Sequence, residues 1–151
     1  MQILSLEHQA EVCSRLRCAL ELTGKPYELS EFPDLNGTPP ELELGGFRLA
    51  IVGTSQIDAA LRAIVFLRGR MSCGHIIAHG EFSALDRSTP ARIRAAGADV
   101  VLDSRFTPSK MALVIDRFLW NTQQLASTPE IFPEWLLRKT VTRLAPAAIL
   151  D

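Results

Sequence analysis

The chain has 151 residues, long enough for one domain with a substantial core. Hydrophobic residues make up 47% and charged residues 22%, which argues against a disordered chain, and a formal net charge of -1 removes the overall basic field a dedicated nucleic-acid binder uses. No apolar run approaches the roughly 20 residues of a membrane span, and Met1 to Val12 has neither the basic region nor the apolar stretch of a secretion signal, so a cytosolic protein is expected.

Gln2 to Leu6 is a short apolar run predicted as the first strand. Val12, Leu16, Ala19, Leu20 and Leu22 follow at helical spacing, and Gly24 and Pro26 end that helix, giving a helix from about Gln9 to Thr23. Tyr27 to Phe32 alternates weakly, as an edge strand does. The stretch from Pro33 to Pro40 then breaks regular structure and leaves at most a short helix, Pro40 to Leu44.

After Gly45 and Gly46, Phe47 to Val52 is continuously apolar, the pattern of a strand covered on both faces in a parallel sheet. It runs into Gly53, a residue with no side chain for chemistry. Ile57, Leu61, Ile64 and Val65 carry a helical stripe as far as Gly69. His75 to Ala78 is the fourth strand. Ser88-Thr89-Pro90 is read as a helix start with a capping hydroxyl, the helix covering about Pro90 to Ala96, and Gly97 supplies its stop.

Val100 to Leu102 is the fifth strand, and Thr107-Pro108 repeats the cap-plus-proline device before a helix predicted to reach about Gln123. In the tail, Phe132, Leu136, Leu137, Val141 and Leu144 are spaced for an amphipathic helix, with Pro133 and Glu134 suited to its first turn and Arg138, Lys139 and Arg143 to its last. Five strands alternating with helices imply an α/β, doubly wound parallel sheet with right-handed crossovers.

The cysteines are odd in number and fit no disulfide framework. Cys13 and Cys18, five apart on one helix, fall on different faces and are not a redox pair, and Cys73 is expected as a small buried or loop residue.

"IRAAGADVVLDSRFTPSKMALVIDRFL", Ile93 to Leu119, resembles the last helix–strand–helix region of the receiver domain of bacterial response regulators. There a Gly-Ala-Asp turn leads into the fifth strand and a Phe-anchored loop opens the last helix. "MQILSLEHQ" and "FRLAIVGTSQIDAALRAIVFLR" resemble the family's first and third strands in their apolar parts. The resemblance covers residues 1–124. It implies a flavodoxin-like, five-stranded sheet of order 2-1-3-4-5, with residues 125–151 as a C-terminal helical extension.

A receiver needs two carboxylates for Mg²⁺, an aspartate that accepts the phosphoryl group, a hydroxyl that binds its oxygens and a lysine that neutralises them. Laid on this chain through the resemblance, the metal pair falls on Glu7 and His8, the acceptor on Gly53, the hydroxyl on His79, with Gly80 as the neighbouring register, and the lysine on Ser104. Those positions imply a pseudo-receiver with no catalytic residue and no cofactor. The role this implies is to bind a protein partner or a second copy, in bacterial signalling or transcriptional control, with no contact to nucleic acid or membrane expected.

The partner face implied by the resemblance carries Arg94, Arg105, Lys110 and Arg117. The tail helix either packs back on the domain or joins a second subunit, and Trp135 makes the second attractive as an interface anchor. The alternative is a small-ligand or metal-binding module using His8, His79 and the space above Gly53. Without such a role, Glu7, His8 and His79 are expected as exposed rim residues.

Overall fold

The computed structural model describes residues 1–71 and 74–119. Its elements are β1 (Gln2–Leu6), α1 (Ala10–Leu22), β2 (Glu28–Phe32), β3 (Phe47–Gly53), α2 (Ile57–Arg70), β4 (His75–Gly80), α3 (Ser88–Ala96), β5 (Val100–Asp103) and α4 (Pro108–Leu119). The strands form one sheet in the order β2-β1-β3-β4-β5, as expected, and every neighbouring pair is parallel. Cys73, the tail helix and Trp135 lie outside the described residues.

The continuous apolar run of β3 has the cause its pattern suggested. Leu49 and Ile51 enter one core, with residues of α1 and α4, while Ala50 and Val52 enter the other, with residues of α2 and α3. A strand flanked on both faces has no solvent side to alternate toward. The edge strand β2 is only partly buried.

Two local expectations are corrected. No helix forms over Pro40 to Leu44. The β2–β3 connection instead makes two 3-10 turns, Leu35–Gly37 and Leu44–Gly46, with a simple turn closing between them from Leu42 N to Pro39 O at 3.1 Å. The first crossover of the α2 side therefore has no α-helix over it.

The start of α3 is capped by Asp86 rather than by Ser88. The Asp86 carboxylate accepts from Ser88 N (3.1 Å), Ser88 Oγ (2.9 Å) and Thr89 N (3.1 Å); the Thr89 side chain and amide, followed by Ser88, draw its pKa down to about 2. At the other end Gly97 takes φ +133°, and its N–H reaches Arg94 O at 3.1 Å. The Thr107 cap is present, its Oγ1 accepting from Lys110 N at 3.2 Å.

Candidate functional site

In an open α/β sheet, sites form at the carboxyl ends of the strands. Here β1, β3, β4 and β5 end on Glu7, Gly53, His79 with Gly80, and Asp103 with Ser104. The register sets Gly53 directly beside His79 and Gly80 beside Asp103. These positions are thus neighbours in space.

They are also in contact as one largely buried unit, which the sequence did not predict. Glu7 and His79 are buried rather than exposed on the rim, His79 with only 1% of its surface accessible. Glu7 Oε1 accepts from Gln9 N at 2.8 Å, and Glu7 Oε2 lies 3.3 Å from His79 Nε2. On its other side His79 Nδ1 is 3.0 Å from Ser104 Oγ.

Burial pushes the His79 pKa down, the Glu7 carboxylate raises it, and the Arg15 charge lowers it further; the net shift is downward. The imidazole is therefore neutral at pH 7. The tautomer protonated at Nε2 suits both neighbours, with Nδ1 accepting the Ser104 hydroxyl. The Nε2 contact is off the axis of a good hydrogen bond, so its attraction to Glu7 is electrostatic.

Glu7 occupies the space an acceptor side chain would need. A Cβ on Gly53 would collide with Glu7 Oε2, lie 3.0 Å from its Cδ and sit 3.4 Å from His79 Cε1. The adjacent hydroxyl, Thr54 Oγ1, is turned away and donates to His79 O at 3.0 Å, beside the Thr54 N–H bond to the same oxygen at 2.9 Å. That pair ties the end of β3 to β4.

Arg15 and Phe106 complete the surroundings. The Arg15 guanidinium stands 5.3 Å above the Phe106 ring and donates to Phe106 O at 3.3 Å, and Phe106 meets His79 edge-on at 5.8 Å. No sequence signal marked Arg15, since a lone arginine on an amphipathic helix reads as solvated.

His8 does not join His79 across Gly53. Its side chain is 52% exposed and approaches Glu7 Oε1 at 3.6 Å, so the two imidazoles flank one carboxylate. Magnesium prefers an octahedron of oxygens with one or two carboxylates. Here the single carboxylate is engaged by Gln9 and His79, and Gly53 and His8 supply no other, so the residues present do not suit that ion. Among the described residues no group of three or more His, Cys, Asp or Glu is arranged to hold a metal.

The expected basic face is weaker than its arginine count suggested. Arg105 is exposed but donates two parallel hydrogen bonds to Asp103, Nε to Oδ1 at 2.8 Å and Nη2 to Oδ2 at 2.7 Å, which hold the Asp103 pKa at about 2. Arg94 and Lys110 are half-buried. Arg117 is buried and is corrected from the exposed face. Cys13 is buried and Cys18 exposed, on different faces as expected. No helix among the described residues is long and apolar enough to cross a membrane.

No protein-family model and no curated protein matches the chain. Solved structures do. A two-component response regulator from Clostridium difficile superposes with a TM-score of 0.68 over 81% of this chain and 98% of its own, at 13% identity. A receiver domain protein (CheY-like) from Methanospirillum hungatei gives 0.66 over 82% and 96%, at 17% identity. An orphan response regulator of H. pylori gives 0.65 over 79% and 96%, at 13%. These likenesses establish a receiver-type fold.

Proposed function

We propose that the chain is a pseudo-receiver: a non-catalytic module that works without phosphorylation and binds protein, a partner or a second copy of itself, in bacterial signalling or transcriptional control. The observation that carries this reading is the filled acceptor position, where Glu7 stands against a glycine at the end of β3.

A phosphoswitch needs a new charge at the acceptor and mobile groups that respond to it. In this chain the end of β4 is already held by its neighbours, through His79 to Glu7 and Ser104, and through Gly80 O to Ser104 N at 2.9 Å. The position of the phosphoryl-binding hydroxyl carries His79 and that of the lysine carries Ser104, and the Thr54 and Ser104 hydroxyls are engaged with His79. The domain keeps one packed state, and partner or concentration sets its output.

The docking face assigned to this role is formed by α3, β5 and α4. Between the β4–α3 loop and β5 lies a 440 Å³ hollow lined by Phe82, Pro90, Arg94 and Asp103, and beside it Leu85 is 93% exposed. A large apolar side chain presented at a loop tip next to a hollow suits an interface anchor.

The test joins intact-mass measurement with sedimentation. After incubation with acetyl phosphate and Mg²⁺, the protein is expected to carry no phosphoryl adduct and to sediment unchanged, while Leu85→Asp and Arg94→Glu each weaken self-association. An adduct, or association indifferent to both substitutions, overturns the proposal.

A further inference from the structure

We infer that the chain's own C-terminal segment, residues 132–144, docks in a groove along α2 that the β2–β3 connection leaves uncovered. The upper end of this groove adjoins the acceptor position, since Gly53 and His8 also line its first cavity, but the inference does not require that position to be filled.

The groove exists because the crossover has no helix. A parallel crossover ordinarily lays a helix on the sheet, whereas here two 3-10 turns bridge β2 and β3. Two cavities of 340 and 520 Å³ result, and Leu35 lines both. The first is lined along α2 by Ala59, Ala60, Arg62 and Ala63, the second by Phe66 and Arg70, with Leu42 and Leu44 opposite.

Together they follow α2 from Ala59 to Arg70, about 16 Å at the helical rise. The alanines make a shallow trough that admits a neighbouring helix, and Phe66 is left 40% exposed at its lower end. Residues 132–144 as a helix are about 20 Å long, with Phe132, Leu136, Leu137, Val141 and Leu144 for the apolar face. This is helix-in-groove recognition within one chain.

Reach and direction agree. The end of α4 lies at the amino end of β4, since Phe118 and His75 approach with ring centroids 5.2 Å apart. His75 pairs with Leu49 near the start of β3, and the groove's lower wall includes Gly45 and Gly46, immediately before that strand. The tail therefore starts at the same end of the sheet as the groove. Because α4 packs on the α1 face and the groove lies on the α2 face, residues 120–131 must also pass below the sheet; extended they span up to about 40 Å, ample for two or three strand spacings plus a helix layer on each face.

Charge agrees as well. The connection from Pro33 to Gly46 contains Asp34, Glu41 and Glu43 and no basic residue. A helix entering from the lower end brings Glu130 and Glu134 beside Arg70, and carries Arg138, Lys139 and Arg143 along that acidic wall toward Asp34. Trp135 then falls near Phe66 of its own chain rather than in a second subunit.

The experiment uses the full chain with Trp120→Phe, which leaves Trp135 as the single tryptophan. Its fluorescence is expected to be shifted to the blue and quenched by acrylamide several-fold less than free tryptophan, at every protein concentration. Phe66→Glu should raise the quenching constant several-fold, and Leu113→Glu, on the exposed α1–α4 side, should leave it unchanged. Hydrogen exchange on the unmodified chain should show protected amides within 132–144. Free-tryptophan quenching in the parent, protection that appears only with dimerisation, or protection that survives Phe66→Glu each overturns the inference, the second in favour of another copy as occupant.

Discussion

Replacing Gly53 by alanine tests the filled acceptor position through the sign of a stability change. Among the described residues the glycines at positive φ are Gly24 and Gly97, so the backbone at Gly53 accepts alanine without strain. Alanine there would by itself stabilise by about 0.4–1 kcal/mol, by restricting the unfolded chain. Against that, its Cβ meets Glu7 Oε2, and Glu7 is buried and held by Gln9 N and His79. Overpacking of a filled site costs about 1–3 kcal/mol, and moving the carboxylate weakens both of its contacts. The expected net is a loss of about 1–2 kcal/mol, a fall of the urea midpoint by about 1 M for a slope near 1.5 kcal/mol/M. In a Glu7→Ala background the collision partner is gone, so the same Gly53→Ala change should become neutral or stabilising. Urea denaturation of the four proteins closes this cycle. Destabilisation of equal size in both backgrounds, or alanine stabilising the parent, would refute the argument that Glu7 fills the space.

Other consequences follow from single contacts. Because the His79 pKa is lowered in the folded state, the unfolded chain takes up its proton first as pH falls below about 6.5; stability should decline from there until the folded value is passed, by up to about 1.4 kcal/mol per pH unit. Denaturation curves between about pH 5 and 7 should show this limb, flattened in His79→Gln; a parent that is insensitive to pH there would contradict it. Asp99 accepts from Ile76 N at 2.8 Å and from Arg68 Nη2 at 2.6 Å; burial pushes its carboxyl up, and His75, the Ile76 amide and Arg68 outweigh that and hold it down. Asp99→Asn should cost about 2 kcal/mol in thermal or urea unfolding, the usual 3–5 for a broken buried pair being reduced by the partial exposure of Arg68. Asp86→Ala should remove amide-exchange protection at Ser88 and Thr89 while leaving the fold intact, and unchanged protection there would reassign the cap of α3.

The strands were legible because burial on two faces writes itself as unbroken apolar runs, as in Phe47 to Val52, and because Gly97 and Thr107-Pro108 punctuate helices through backbone chemistry that is local in sequence; their order was implied only by the resemblance to receiver domains. The cap of α3 was misplaced because Asp86, Ser88 and Thr89 are all capping residues, and only geometry selects the carboxylate that reaches two amides. The Glu7–His79–Ser104 unit was not legible as a unit. Its members are 72 and 25 positions apart, and what joins them is the parallel register that sets β1, β3, β4 and β5 side by side. Glu7 and His79 read as exposed because polar residues just past a strand usually are; a glycine between them, which leaves a side-chain-sized space in the layer, is the physical reason they turn inward. Arg117 misled in the same way, being charged on a helix whose other face already had enough apolar residues.

The central claim is that the end of β3 offers no phosphoryl site and that its space is already occupied. The most direct measurement is a titration with beryllofluoride and Mg²⁺ followed through amide chemical shifts. The account predicts no saturable shift at residues 53–55, 79–81 and 103–105. A saturable shift confined to those strand ends would show a working phosphoryl-mimic site and contradict it.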